Sequence, residues 1–224
     1  MNILALETSS ELCSVALMVD GEVFGREAPD RMHSTSVLPM LDALLAETGL
    51  ALSKVDAVAF GRGPGMFTGL RIGAGIAQGI GFSAGLPVIP VSSLMALAAS
   101  AEDGCVLAVQ DARMGELYWA FFEKTGNSME LLGEETLGPA SSLVLPDQVD
   151  SCYALGSGCA AVGDEISQRL GSGVSGCRAD AWPRATDVAR LASLKMERGL
   201  VSPGDALPVY LRNDVARKKG RGGS

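Results

Sequence analysis

Residues 3–6 are apolar, and the run closes on the polar stretch Glu7, Thr8, Ser9 and Ser10. This predicts a short strand ending in a turn. From Cys13 to Ala28 two further apolar runs flank Asp20-Gly21, a tight hairpin signal. Leu38, Leu41, Leu44 and Leu45 then recur at helical spacing, with Ser or Thr ahead as cap and Gly49 as stop. Pro39 is expected in that helix's first turn, where a missing N–H is harmless. The apolar run from Val55 to Phe60 reads as a buried strand leading into "GRGPGMFTGLRIGAGIAQGIG", residues 61–81. A helix is expected there from Thr68, with Thr68 as its cap. "LPVIPVSS" gives another strand, followed by the helix "SLMALAASA". Near the end, "ATDVARLASLKMERGL" predicts a helix capped by Thr186 or Asp187, with Val188, Leu191, Leu194 and Met196 on one face and Gly199 as stop.

The opening layout returns at "CVLAVQDARMGELYWAFFEKTGN". Both segments run strand, acid with small polar neighbours, second strand, turn. Glu7 and Asp111 occupy matching places. Such a repeat predicts an α/β protein of two lobes with one topology. The lobes are expected at 1–102 and 103–211, with 212–224 as a basic tail. Residues 126–180 are richer in Gly, Ser and Pro and show few strong periodic segments.

Composition narrows the class. With 224 residues, 47% of them hydrophobic and few aromatic, the chain can bury a substantial core. No charge-free apolar run reaches membrane-spanning length, and the acid-containing start does not read as a signal peptide. A cytoplasmic protein without membrane contact is expected. The five cysteines are odd in number and lack any C-x-x-C pair, so neither a disulfide framework nor a zinc site is expected. Arg212, Arg217, Lys218, Lys219 and Arg221 crowd the last fourteen residues. The rest holds thirteen basic and twenty-five acidic residues, a balance of −12. So acidic a body is unsuited to nucleic acid on its own but suited to a basic protein.

The glycine-rich stretch invites a phosphate-loop reading. It fails the test: Gly65 and Gly69 come without the lysine of a P-loop, and Gly61, Gly63 and Gly65 miss the G-x-G-x-x-G register. Gly69, Gly73, Ala77, Gly81 and Gly85 instead fall four apart, on one helical face. Each interior glycine costs about 1 kcal/mol against alanine, so close approach of another backbone must compensate. That backbone belongs either to the same chain or to a partner. Arg71 in the first turn opposes the helix dipole, and Glu7 is the acid expected to meet it.

Candidate chemistry is thin. His33 is the single histidine, so neither a two-histidine metal site nor an organised Ser–His–Asp triad can be assembled. It reads as a surface or capping residue ahead of the leucine helix. No residue is assigned as catalytic and none as a metal ligand.

"NILALETSS", "HSTSVLPMLDALL", "GRGPGMFTGLRIG" and "PVYLR" together resemble the TsaB (YeaZ-type) family, with Met66 where serine is usual. The resemblance implies an actin/Hsp70-like fold of two duplicated lobes. It implies a non-catalytic subunit required for threonylcarbamoylation of adenosine 37 in tRNA. The implied partners are a TsaD-type catalytic subunit and, in the assembled complex, a TsaE-type ATPase, with tRNA reached indirectly and a homodimer when alone. The implied pairing surface is the first two helices, Ser36–Thr48 and Thr68–Ala84. Leu38, Leu41, Leu45, Gly69, Arg71, Gly73, Ala77 and Gly81 are its candidate residues. No tightly bound cofactor is expected; ATP and magnesium would enter only in the complex. Glu7, Thr8, Gly63, Gly65 and Asp111 form a candidate nucleotide or junction site. Those acids also keep open an alternative, an ATP-hydrolysing or phosphotransferase enzyme of the same fold.

Overall fold

The computed structural model describes residues 1–28 and 33–212, with the side chains of residues 33 and 34 also left aside. The expectations for His33 and for the tail beyond Arg212 therefore lie outside what is described.

Two five-stranded sheets are built to one plan. The first contains β1 (Asn2–Glu7), β2 (Cys13–Val19), β3 (Glu22–Ala28), β4 (Ala57–Gly61) and β5 (Val88–Val91), in the order β3-β2-β1-β4-β5. The second contains β6 (Gly104–Arg113), β7 (Glu116–Thr125), β8 (Ser128–Gly138), β9 (Cys152–Leu155) and β10 (Val174–Arg178), in the order β10-β9-β6-β7-β8. In each, the first three strands pair antiparallel and the last two add in parallel. The duplication seen faintly in the sequence is thus complete in topology. The Asp20-Gly21 turn forms with both residues at positive φ, as its residue types require.

Alternation along β1 divides the first core in two. Leu4 and Leu6 face α1 (His33–Thr48) and α2 (Phe67–Ala84), against Val37, Leu41, Leu44 and Ala77. Ile3 and Ala5 face the other way, onto Ala185, Val188 and Ala189 of α5 (Ala185–Ser193). With both faces covered, the strand is apolar throughout rather than alternating. α1 begins a turn earlier than the leucine pattern indicated, so Pro39 sits in its second turn.

The lobes exchange helices. α3 (Ser93–Ala98), capped by Ser92, follows the first sheet but packs on β6 and β7. α5 follows the second sheet but packs on β1 and β2. The chain then runs back along α2: Val201 bridges Val88, and the amide of Val209 donates to the carbonyl of Arg62. The stretch after residue 184 therefore lies with the first sheet, not with the 103–211 lobe of the sequence reading. α5 has no side-chain cap: Asp187 is buried and takes a hydrogen bond from Arg190 instead.

Residues 126–180 hold more order than their composition suggested, namely β8, β9, α4 (Ser157–Leu170) and β10. They also hold a disulfide between Cys159 on α4 and Cys177 on β10. This corrects the expectation of unpaired cysteines; an odd count excludes a complete framework, not one pair. Cys13, Cys105 and Cys152 are free.

Candidate functional site

The turn after β1 is where the glycines of residues 61–73 converge. Glu7 is fully buried; its Oε1 accepts from the Ser9 amide (2.6 Å) and its Oε2 from the Ser93 hydroxyl (2.8 Å). Burial pushes its carboxyl above the ordinary 4.5, opposed by those hydrogen bonds. A Cβ at Gly61 would overlap this carboxylate, and one at Gly65 would overlap the Ser9 backbone. Thr8 Oγ1 donates to the Gly69 carbonyl (2.8 Å), and a Cβ at Gly73 would stand 2.5 Å from that hydroxyl. The close backbone the glycines were expected to meet is the chain's own.

That finding corrects the interface assignment. Gly69, Gly73, Ala77 and Gly81 are all buried, the last against Pro203, Leu86 and Val88. Leu41 lies in the core and Leu45 packs against it. Of the eight residues assigned, only Leu38 and Arg71 are exposed. Nor does Arg71 meet Glu7. Its guanidinium stacks 3.8 Å over the Phe67 ring, a cation–π contact that leaves the buried carboxyl alone. Thr68 does not cap α2, which begins at Phe67 without a side-chain cap.

The opposite face of α2 is the bare one. Gly75 and Gly79 are exposed with nothing within 4 Å of a Cβ at either. They continue the row from Arg71, four residues apart, beside partly buried Ile72, Ile76 and Ile80 and exposed Phe82 (67%). α1 touches α2 and shows Leu38 (52% exposed), Asp42 and Ala46 at the same interval. Sequence reasoning missed Gly75, Gly79 and Phe82 because α2 is small and apolar on both sides. Periodicity picked out the row from Gly69 to Gly85, and that row proved to be the buried one.

Between the lobes lies a cleft of about 520 Å³. Ser9, Ser10 and Gly65 line it from one side, Gln110, Asp111 and Ser157 from the other, and Trp182 and Tyr210 contribute aromatic surface. Asp111 is held by Arg113, whose amide and guanidinium reach its two oxygens at 2.7 and 2.9 Å. Its own amide donates to Ser157 Oγ at the start of α4 (3.0 Å). The Gln110 amide nitrogen is buried without a partner among the described residues. Of the residues assigned to a nucleotide or junction site, Gly65 and Asp111 reach this cleft. Glu7, Thr8 and Gly63 do not: Glu7 is buried beside Gly61 and Ser93, Thr8 lies beneath α2, and Gly63 packs on Leu70 while its amide donates to Ser93. Among the described residues no cluster of three His, Cys, Asp or Glu side chains suits a metal ion. No helix of theirs is long and apolar enough to cross a membrane.

Two sheets of one topology, exchanged helices and an interlobe cleft define a duplicated two-lobed protein of the actin/Hsp70-like type. A solved structure titled YeaZ from Pseudomonas aeruginosa superposes with a TM-score of 0.86 at 39% identity, covering 94% of this chain and 99% of that one. Proteins named tRNA threonylcarbamoyladenosine biosynthesis protein TsaB match along nearly the whole length. The one from Haemophilus influenzae is 40% identical, covering 98% of this chain and 97% of its own. The one from Escherichia coli is 40% identical, covering 98% of each. The model of the TsaD family, described as tRNA N6-adenosine threonylcarbamoyltransferase, matches residues 26–163. The chain belongs to the TsaB family.

Proposed function

We propose that this chain is a non-catalytic subunit in the synthesis of threonylcarbamoyladenosine in tRNA, pairing through α1 and α2 with a TsaD-type catalytic subunit. Its place in that biosynthesis follows from relatives that carry the name over the full chain. The pairing rests on one observation, the uncovered outer face of the two helices. Gly75 and Gly79 let a facing helix approach closely, while Leu38 and Phe82 offer apolar anchors on either side. A water-exposed glycine row costs helix stability and returns nothing to the isolated lobe. Its return comes on docking.

The phosphotransferase alternative needs two acids facing one cleft. Asp111 faces it, but Glu7 is sealed in the first lobe beside Gly61, with burial favouring its neutral form. A carboxyl enclosed there, its two oxygens already accepting from Ser9 and Ser93, does not reach a magnesium ion in the cleft. The acidic balance of the body supports contact with tRNA through partners rather than directly.

The test is reconstitution of tRNA threonylcarbamoylation from purified components. Omitting the chain should abolish product. Phe82→Asp should reduce product at limiting protein and recover it at excess, as a weakened assembly does. Asp111→Asn with undiminished assembly but lost turnover would instead make the chain an enzyme.

A further inference from the structure

The two lobes differ in one respect that leaves a surface open. In the first, α1 lies between β3 and β4 in sequence and packs on β2 and β3. In the second, the equivalent link from β8 to β9 forms only a short 3-10 turn, Ala140–Ser142. The face of β7 and β8 that a second copy of α1 would cover is a groove of about 530 Å³. Trp119, Phe121, Leu132 and Pro146 line it, with Val144, 63% exposed, on its flank. The indole nitrogen of Trp119 is buried with no acceptor among the described residues.

The charged residue lining this groove is acidic; the nearby Arg169 is turned to the Leu143 carbonyl, beside Val144. Glu134 lines the groove itself. Glu123 and Glu130 stand directly opposite each other across β7 and β8, next to the Phe121–Leu132 pair and on the same side of the sheet. Like charges in register weaken a strand pair. None of the three glutamates forms an ion pair among the described residues. An apolar floor sized by a missing helix, with an uncompensated acidic border, is complementary to one kind of occupant.

We propose that the β7–β8 face of the second lobe docks a basic amphipathic helix supplied by another protein. Its apolar stripe would replace the absent α1 copy over Trp119, Phe121 and Leu132, and its Lys or Arg flanks would neutralise Glu123, Glu130 and Glu134. The acidic border excludes RNA and anionic lipid from the same place. This surface lies on the other lobe from α1 and α2, so it adds a second contact to the pairing proposed above and does not depend on it.

The probe is a synthetic helix of about 18 residues, leucines on one face and lysines on the other. Two controls are a peptide of the same composition in scrambled order and one with glutamate for lysine. Trp182→Phe protein leaves Trp119 as the sole tryptophan of the two, so its emission reports occupancy of the groove. A saturable shift with the patterned basic peptide is expected, with both controls at least about tenfold weaker. Glu130→Lys/Glu134→Lys should weaken the patterned peptide by about tenfold or more, and raised salt should do the same. Glu134→Gln, checked by circular dichroism, gives a milder version should the double variant not fold. Equal binding of the scrambled peptide, an unmoved Trp119 signal, or full affinity in the charge variants would overturn the proposal. So would a dimer in light scattering that Val144→Asp dissociates, because the groove would then belong to a second copy of this chain.

Discussion

Gly73 and Gly79 sit six residues apart on α2, the first buried and the second exposed, so alanine should act on them with opposite sign. At Gly73 the new Cβ would stand 2.5 Å from Thr8 Oγ1 and 3.5 Å from Leu6 Cδ1. Thr8 is buried and its hydroxyl is committed to the Gly69 carbonyl at 2.8 Å. Either that hydroxyl turns away and is stranded, or α2 moves off the sheet. A stranded buried hydroxyl costs about 1–3 kcal/mol and overpacking a similar amount. Better helix propensity returns about 1 kcal/mol. The net for Gly73→Ala is a loss of up to about 2 kcal/mol. At Gly79 nothing lies within 4 Å, so only the propensity gain of up to about 1 kcal/mol remains. The two variants should differ by about 1–3 kcal/mol, on the order of 2–12 °C in Tm for a chain this long. Urea titration followed by circular dichroism measures it, at two protein concentrations so that self-association does not contribute. Equal stabilities, or Gly73→Ala the more stable, would refute the assignment of the inner and outer faces.

Glu7→Gln tests the buried carboxyl. A folded pKa above the ordinary 4.5 means that folding favours the protonated form. The associated stability is fully present below that ordinary value and is lost as pH rises through the folded value. The glutamine variant should therefore gain on the wild type as pH rises above the ordinary 4.5, read as the difference in urea midpoint; a difference that does not change with pH contradicts it. Purified without reductant and then denatured, the chain should offer three thiols to a thiol reagent, from Cys13, Cys105 and Cys152, and five after reduction. With the bridged cysteines 18 positions apart in sequence, Cys159→Ser should cost about 3 kcal/mol. Five thiols before reduction would show the bond to be absent.

The fold was more legible in the sequence than the site was. Strand β1 ending on Glu7, the Asp20-Gly21 hairpin and the return of the same layout at Asp111 carry the duplication, because strand–turn–strand patterns are local. The second lobe's later elements were hidden because β9 spans four residues and α4 is polar on much of its surface. The exchange of α3 and α5 between lobes is a long-range choice that no local pattern encodes. At the site, the need for close backbone contact along α2 was readable, but its direction was not. A helix with small residues on both sides gives periodicity no preference, and the side that won was decided by Thr8, Leu6 and Pro203, remote in sequence. The burial of Glu7 was equally invisible, since its partners Ser93 and Gly61 come from other elements.

The central claim, that the outer face of α1 and α2 exists to receive a TsaD-type subunit, is most directly tested by light scattering on mixtures of the two chains. The wild type should form a complex of summed mass. Gly79→Leu should remain folded, since the position is exposed with nothing within 4 Å of a Cβ, yet lose that complex. A Gly79→Leu chain that binds the TsaD-type subunit as tightly as the wild type would contradict the account.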